Sequence, residues 1–281
     1  MFITALRKKI FRLRKDIKMK KILSLILALA MAFCLVSCGK KEEAAEPVEL
    51  TVFAAASLTE ACTEIGKQYE AAHSNVKVTF NFDSSGTLLT QINEGATCDV
   101  FISAAQKQMN ALDEAGALLE GTRLDLLENK CALAVAEGNP KNVTSFEQLC
   151  NMLKNDDIKF AMGNSDVPVG AYTQNIFKYY GVDEAAVASK ISYGGNVKAV
   201  TTAVSESTVD CGIIYASDAY SAGLTVVALS TSEETGGRVI YPAAVLKAST
   251  LQDEAKAFLE YLQGPEASAA FEAVLFTPLS K

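Results

Sequence analysis

Four short segments of this chain set small, hydroxyl-bearing or glycine residues just ahead of a helical pattern. They are Ala54-Ala55-Ala56-Ser57, Asp83-Ser84-Ser85-Gly86, Pro168-Val169-Gly170-Ala171 and Gly194-Gly195-Asn196-Val197. The first N–H groups of a helix have no partner within it and carry the positive end of its dipole. An anion is therefore held at such a terminus without any basic side chain. Each segment also has a plainly structural reading. Ser57 followed by Glu60 spells a capping box, Ser85-Gly86 a turn, Pro168 a first-turn proline and Asn196 an N-cap. A fifth feature, GIIYASDA, delivers Tyr215 at the carboxyl end of a buried strand. Ligands gather at such ends in open α/β sheets, and packing of the ring is the alternative.

The elements that must position these junctions alternate along the chain. Strand patterns at 50–54, 76–82, 100–103, 131–136, 159–162, 211–215, 225–228 and 238–245 are interleaved with helical ones at 58–72, 88–94, 106–115, 146–154, 171–180, 197–205 and 252–262. That alternation predicts an α/β protein with mostly parallel sheets. A change of character near Asn129 divides it into two lobes, 48–129 with 228–281 and 130–227. Two crossings between lobes make a ligand cleft with two linkers, suited to hinge closure.

Composition narrows the chemistry. There is no tryptophan and one histidine, His73, which disfavours an imidazole base or a His-rich metal cluster. A basic start and an apolar run over 22–37 read as a signal peptide spanning 1–37, closing on Leu35-Val36-Ser37-Cys38-Gly39. This resembles a bacterial lipobox with Cys38 as the acylated residue and 38–47 as a polar tether. The expected location is extracytoplasmic, at the membrane surface. An uncleaved amino-terminal anchor is the alternative, and the usual short MKK opening would place the start at Met19. Residues 1–37 hold 9 of the 26 basic side chains and 1 of the 33 acidic ones, so the remainder carries a net charge of −15. Nucleic acid is not an expected partner for that surface. Cys62, Cys98, Cys131, Cys150 and Cys211 form no CxxC pair and read as small core residues, with a Cys131–Cys150 bridge the one pairing considered.

From about Glu49 to Thr277 the chain resembles the periplasmic molybdate-binding proteins, receptors of molybdate ATP-binding cassette transporters. The resemblance rests on TVFAAASLTEA, FDSSGTLLTQI, CDVFISA, VPVGAY, NVKAV, GIIYASDA and YPAAVLK, in that order. It implies a two-lobed, type II-like binding protein, without cofactor or cation site, that holds molybdate or tungstate by hydrogen bonds alone. It also implies the ligand set: amide and hydroxyl of Ser57 and of Ser85, the amides of Val169 and Val197, and the hydroxyl of Tyr215. Val169 stands where many members have alanine, Gly86 where serine is frequent, and Asp83 where small residues are common. The expected partner is a membrane permease, and the expected state a monomer.

Three other functions are weighed. A hydrolase with Ser57 as nucleophile lacks the G-x-S-x-G elbow. A ferric-ion receptor of the same architecture would use Tyr179-Tyr180, which packing also explains. A receptor for another oxyanion, chiefly sulfate, differs from the molybdate reading in ion size rather than charge.

Overall fold

A computed structural model describes residues 47–279. The basic, apolar leader and the expected lipidation residue Cys38 lie outside the described residues. No helix among the described residues is long and apolar enough to cross a membrane.

Among the described residues, eleven strands build two sheets. The first, ordered β11-β4-β10-β3-β1-β2, contains β1 (Val48–Ala55), β2 (Val76–Asp83), β3 (Val100–Ile102), β4 (Leu124–Asn129), β10 (Val239–Val245) and β11 (Thr277–Pro278). The second, ordered β7-β6-β8-β5-β9, contains β5 (Cys131–Val135), β6 (Phe160–Gly163), β7 (Ile191–Gly194), β8 (Cys211–Tyr215) and β9 (Thr225–Leu229). Helices pack on both to give a two-lobed α/β molecule.

The sheets are mixed rather than mostly parallel. β1 runs parallel to β2 and β3, and β6 parallel to β7 and β8. β10 is antiparallel to β3 and β4, and β5 antiparallel to β8 and β9. A parallel neighbour needs a crossover of a dozen or more residues. The helix Thr59–Ala72 supplies one between β1 and β2. The strands that carry the chain between sheets, β4 to β5 through Lys130 and β9 to β10, have no such crossover. β9 pairs with β5 as far as Leu229, past the expected change of lobe at 228.

Local patterns account for the elements. The helix Thr59–Ala72 buries Ala61, Cys62, Ile65 and Tyr69, spaced for one helical face. Phe80 and Phe82 alternate along β2 and stack at 5.2 Å. All five cysteines of the described residues are buried free thiols, so no Cys131–Cys150 bridge forms. Burial in apolar surroundings pushes the Cys98 and Cys150 thiols up to about 12.

The carboxyl ends of β1, β2, β6, β7 and β8 all run into helix starts. β1 ends in a 3-10 turn, Ala56–Leu58, ahead of the Thr59 helix. β2 leads to the helix Ser85–Asn93, β6 to Pro168–Tyr179, β7 to Val197–Ser205 and β8 to Ala216–Ser221. At the third of these junctions the backbone folds tightly on itself. A Cβ on Gly170 would run into the carbonyl oxygens of Asn164 and Gly163. Gly195 has nothing within 4 Å of an added Cβ. Gly170→Ala is expected to destabilise the fold by about 2–4 kcal/mol, with Gly195→Ala within about 0.5 kcal/mol of the parent. Urea unfolding of both variants checks this.

Candidate functional site

All five junctions contribute to the lining of one small cavity, of about 10 Å³, between the two sheets. Its polar lining comes from Ser57, Ser84, Ser85 and Tyr215, with Val197 at a helix start. Its walls are Ala55, Ala56, Ala104, Val167 and Pro168, and no charged side chain lines it. Sites for drug-sized ligands measure ~300–1,000 Å³, so this space is scaled to a small ion rather than an organic molecule. Hollows of about 410 and 700 Å³ elsewhere, around Arg123 and Arg238 and around Cys98 and Lys247, lack this convergence of hydroxyls and helix N-termini.

Side-chain caps are placed so that they leave the first amides open. Ser84 Oγ accepts from the N–H of Thr87, and Asn196 Oδ1 from that of Ala199. Both are third-position amides, so the first-position amides of Ser85 and Val197 receive no cap. The helix Pro168–Tyr179 has no side-chain cap at all, and Val169 is its second residue. Val169 is fully buried and, unlike its neighbours Val167 and Pro168, does not line the cavity.

The expected capping box at Ser57 and Glu60 does not form. Leu58 is the N-cap of the Thr59 helix, with no side-chain cap bond. Ser57 Oγ instead lies 2.9 Å from Tyr241 Oη, and Glu60 reaches Lys198. Ser85 Oγ accepts from the Ala104 N–H at 2.9 Å, which leaves its own proton free to donate. Tyr215 is 1% exposed, and its hydroxyl has no hydrogen-bond partner among the described residues. Burial raises its pKa well above the usual tyrosine value, so the group is a neutral donor. An unmet buried hydroxyl costs about 1–3 kcal/mol. A ligand oxygen in the cavity would remove that cost.

Charges stand just outside. Lys198 Nζ lies 2.8 Å from both carboxylate oxygens of Glu60 and 3.2 Å from Asp218 Oδ1. Burial alone would lower its pKa, but Asp218 and Glu60 outweigh that and raise it. Its charge is thus matched by carboxylates rather than offered to a ligand. Asp83 Oδ1 accepts from the Ser84 N–H at 2.7 Å and from Asn196 Nδ2 at 3.1 Å, and Asp83 does not line the cavity. Both the Glu60–Lys198 and Asp83–Asn196 contacts join one lobe to the other. So does Gly86, where a Cβ would strike the carbonyl oxygen of Asp166.

The rival chemistries find no such convergence. His73 is exposed at the carboxyl end of the Thr59 helix, its ring stacked on Tyr69 at 4.1 Å, away from the helix start that Ser57 precedes. Tyr179 and Tyr180 pack edge to face, and Tyr180 Oη donates to Glu234 at 2.5 Å. Among the described residues no group of three or more His, Cys, Asp or Glu side chains is placed to hold a metal ion.

Asp218 is fully buried, and neither carboxylate oxygen has an aligned hydrogen bond. Burial lifts its pKa from 3.8 to about 6, with Lys198 pulling the other way. A carboxyl that binds its proton more tightly when folded favours the fold below its unfolded pKa. That advantage is lost as pH rises through about 6. Relative to Asp218→Asn, the parent chain is therefore expected to lose about 2–3 kcal/mol of stability between pH ~4 and ~7, read by urea unfolding at each pH. The opposite slope would mean that attraction to Lys198 outweighs desolvation.

Residues 50–274 match the model of the family described as bacterial extracellular solute-binding protein. A putative ABC transporter substrate-binding lipoprotein of Bacillus subtilis, YvgL, is 33% identical, covering 90% of this chain and 97% of that protein. The molybdate-binding protein ModA of Escherichia coli is 32% identical, covering 92% and 98%. Among solved structures, the substrate-binding domain of a putative molybdenum ABC transporter from Clostridium difficile is 35% identical, with a TM-score of 0.62 over 82% of this chain and 98% of that one. The chain belongs to the bacterial extracellular solute-binding protein family, a family of binding proteins rather than enzymes, and groups there with the molybdate-binding protein ModA.

Proposed function

We propose that this chain captures molybdate, and tungstate with it, outside the cytoplasmic membrane and hands it to the permease of an ATP-binding cassette importer. The ligand set is the amides and hydroxyls of Ser57 and Ser85, the amides of Val169 and Val197, and the hydroxyl of Tyr215. The protein works as a monomer, tethered through lipid on Cys38. One observation carries the reading: Tyr215, whose fully buried hydroxyl has no partner among the described residues, lines a cavity with further donors and no charged side chain.

The donor set explains how the site would choose. Molybdate, tungstate and sulfate are dianions without a proton at neutral pH, so a pocket of donors satisfies all their oxygens. Hydrogenphosphate carries a proton for which such a pocket has no acceptor. One unmet group costs about 1–3 kcal/mol, about tenfold to a hundredfold in affinity. Of the nearby carboxylates, Asp83 is occupied by Ser84 and Asn196, and Glu60 and Asp218 flank Lys198. The net charge of −15 on residues 38–281 is compatible with this. Exposed carboxylates beyond ~8 Å are screened at physiological salt, whereas amide dipoles act at contact.

Calorimetric titration of the lipid-free chain with molybdate, tungstate, sulfate and phosphate is the test. Molybdate and tungstate are expected to bind alike, and phosphate weakly or not at all. Sulfate binding as tight as molybdate would overturn the assignment in favour of a general oxyanion receptor. Ser57→Ala, Ser85→Ala and Tyr215→Phe are each expected to lose ~1.5–3 kcal/mol of molybdate binding, the worth of one hydrogen bond to an ion. Val169→Ala changes it much less, since only the amide is used.

A further inference from the structure

Ser57 and Ser85 are oriented by different means. The Ser85 hydroxyl accepts from a backbone amide, that of Ala104, which no substitution there except proline removes. The Ser57 hydroxyl is oriented by a side chain, Tyr241, from a strand 184 residues further along. Tyr241 does not line the cavity, and its hydroxyl is fully enclosed by protein.

The proton positions follow from the partners available. Asn129 Oδ1 accepts from the N–H of Lys130 at 2.8 Å, which fixes the amide's orientation. Asn129 Nδ2 then donates to Ser217 Oγ at 2.9 Å and, at 3.4 Å, towards Tyr241 Oη. Tyr241 Oη thus receives a donor on one side. The remaining neighbour within hydrogen-bond reach is Ser57 Oγ at 2.9 Å. Neither Asp218 oxygen nor the Tyr215 hydroxyl is hydrogen-bonded to it. The Tyr241 proton is therefore donated to Ser57 Oγ, because the reverse direction would leave it buried without an acceptor. Ser57, having accepted, keeps its own proton for the cavity. Asn129 is the last residue of β4, at the crossover to the second sheet, and Ser217 is the second residue of the helix after β8. The chain of hydroxyls therefore starts where the two lobes join.

We propose that Tyr241, held by Asn129, is the positioning residue that fixes the Ser57 hydroxyl as a donor and thereby sets the pocket's discrimination against protonated oxyanions. This rests on the anion-binding role of Ser57 proposed above. Without the tyrosine hydroxyl, Ser57 can rotate and accept the proton of a ligand such as hydrogenphosphate. The preference that depended on an all-donor pocket is then weakened.

The test is a double-mutant cycle on the lipid-free chain, titrated with molybdate and with phosphate. Tyr241→Phe keeps the ring among Tyr215 and Phe276 and removes only the hydroxyl. It is expected to weaken molybdate binding about tenfold and to lower the ratio of molybdate to hydrogenphosphate affinity by at least that factor. In a Ser57→Ala background the same change is expected to cost less than about twofold, because its route of action is gone. Asn129→Asp replaces the donor facing Tyr241 by an acceptor and draws the tyrosine proton away from Ser57. This variant is expected to lose more molybdate affinity than Tyr241→Phe, and no more than Tyr241→Phe once the two are combined. An unchanged affinity ratio in Tyr241→Phe, an equal cost with and without Ser57, or an Asn129→Asp chain that binds molybdate as the parent does would each overturn the role of Tyr241. Failure of the parent chain to bind molybdate would instead overturn the reading of the site on which it rests.

Discussion

Buried hydrogen-bond donors need acceptors, and this fold brings together more donors than it can satisfy. Helix starts after β2, β6 and β7 leave early amides uncapped, and β8 adds a hydroxyl with no partner. The surrounding choices follow from that surplus. Ala55 and Ala56 keep bulk away from the junction after β1. Caps are spent on third-position amides. The nearest ammonium, Lys198, is held between two carboxylates. In the proposed reading, the site's attraction for an anion comes from oriented dipoles at contact, which act strongly only where water is excluded.

The residues that shape the pocket also hold the lobes against each other. Asn196 caps its helix with Oδ1 and bonds Asp83 across the cleft with Nδ2. Glu60, freed from any capping role, meets Lys198 of the opposite lobe. Gly86 admits the Asp166 carbonyl so closely that any side chain would hold the lobes apart. In the proposed reading, closure and ligand contact are made by neighbouring atoms of the same helix starts. Such an arrangement ties domain closure to occupancy of the cleft.

Much of this was legible in the sequence because it is local. Period-2 and period-3.6 patterns located most elements, and small residues ahead of helices marked the junctions. Ser57, Ser85, Val197 and Tyr215 line a common cavity, while Val169 does not line it. Contacts between residues distant in sequence were not legible. Ser-x-x-Glu at 57–60 reads as a capping box, and only the fold reveals that Tyr241 and Lys198 take the two side chains. Nothing in YPAAV marks its tyrosine as the partner of a serine 184 residues earlier. The short strands β7 and β11 and the charged strand β4 carry too little alternation to stand out. The mixed character of the sheets depends on which strands the crossovers bring together, which periodicity does not encode.

The central claim is that an oxyanion is held by neutral donors alone. A crystal structure of the lipid-free chain with molybdate tests it most directly. The expected result is one molybdate between the lobes, its oxygens about 2.7–3.2 Å from the amides of Ser57, Ser85, Val169 and Val197 and about 2.5–3.0 Å from the hydroxyls of Ser57, Ser85 and Tyr215, with no ammonium or guanidinium in contact. An anion bound through Lys198 or any other basic side chain, or seated away from Tyr215, would contradict it.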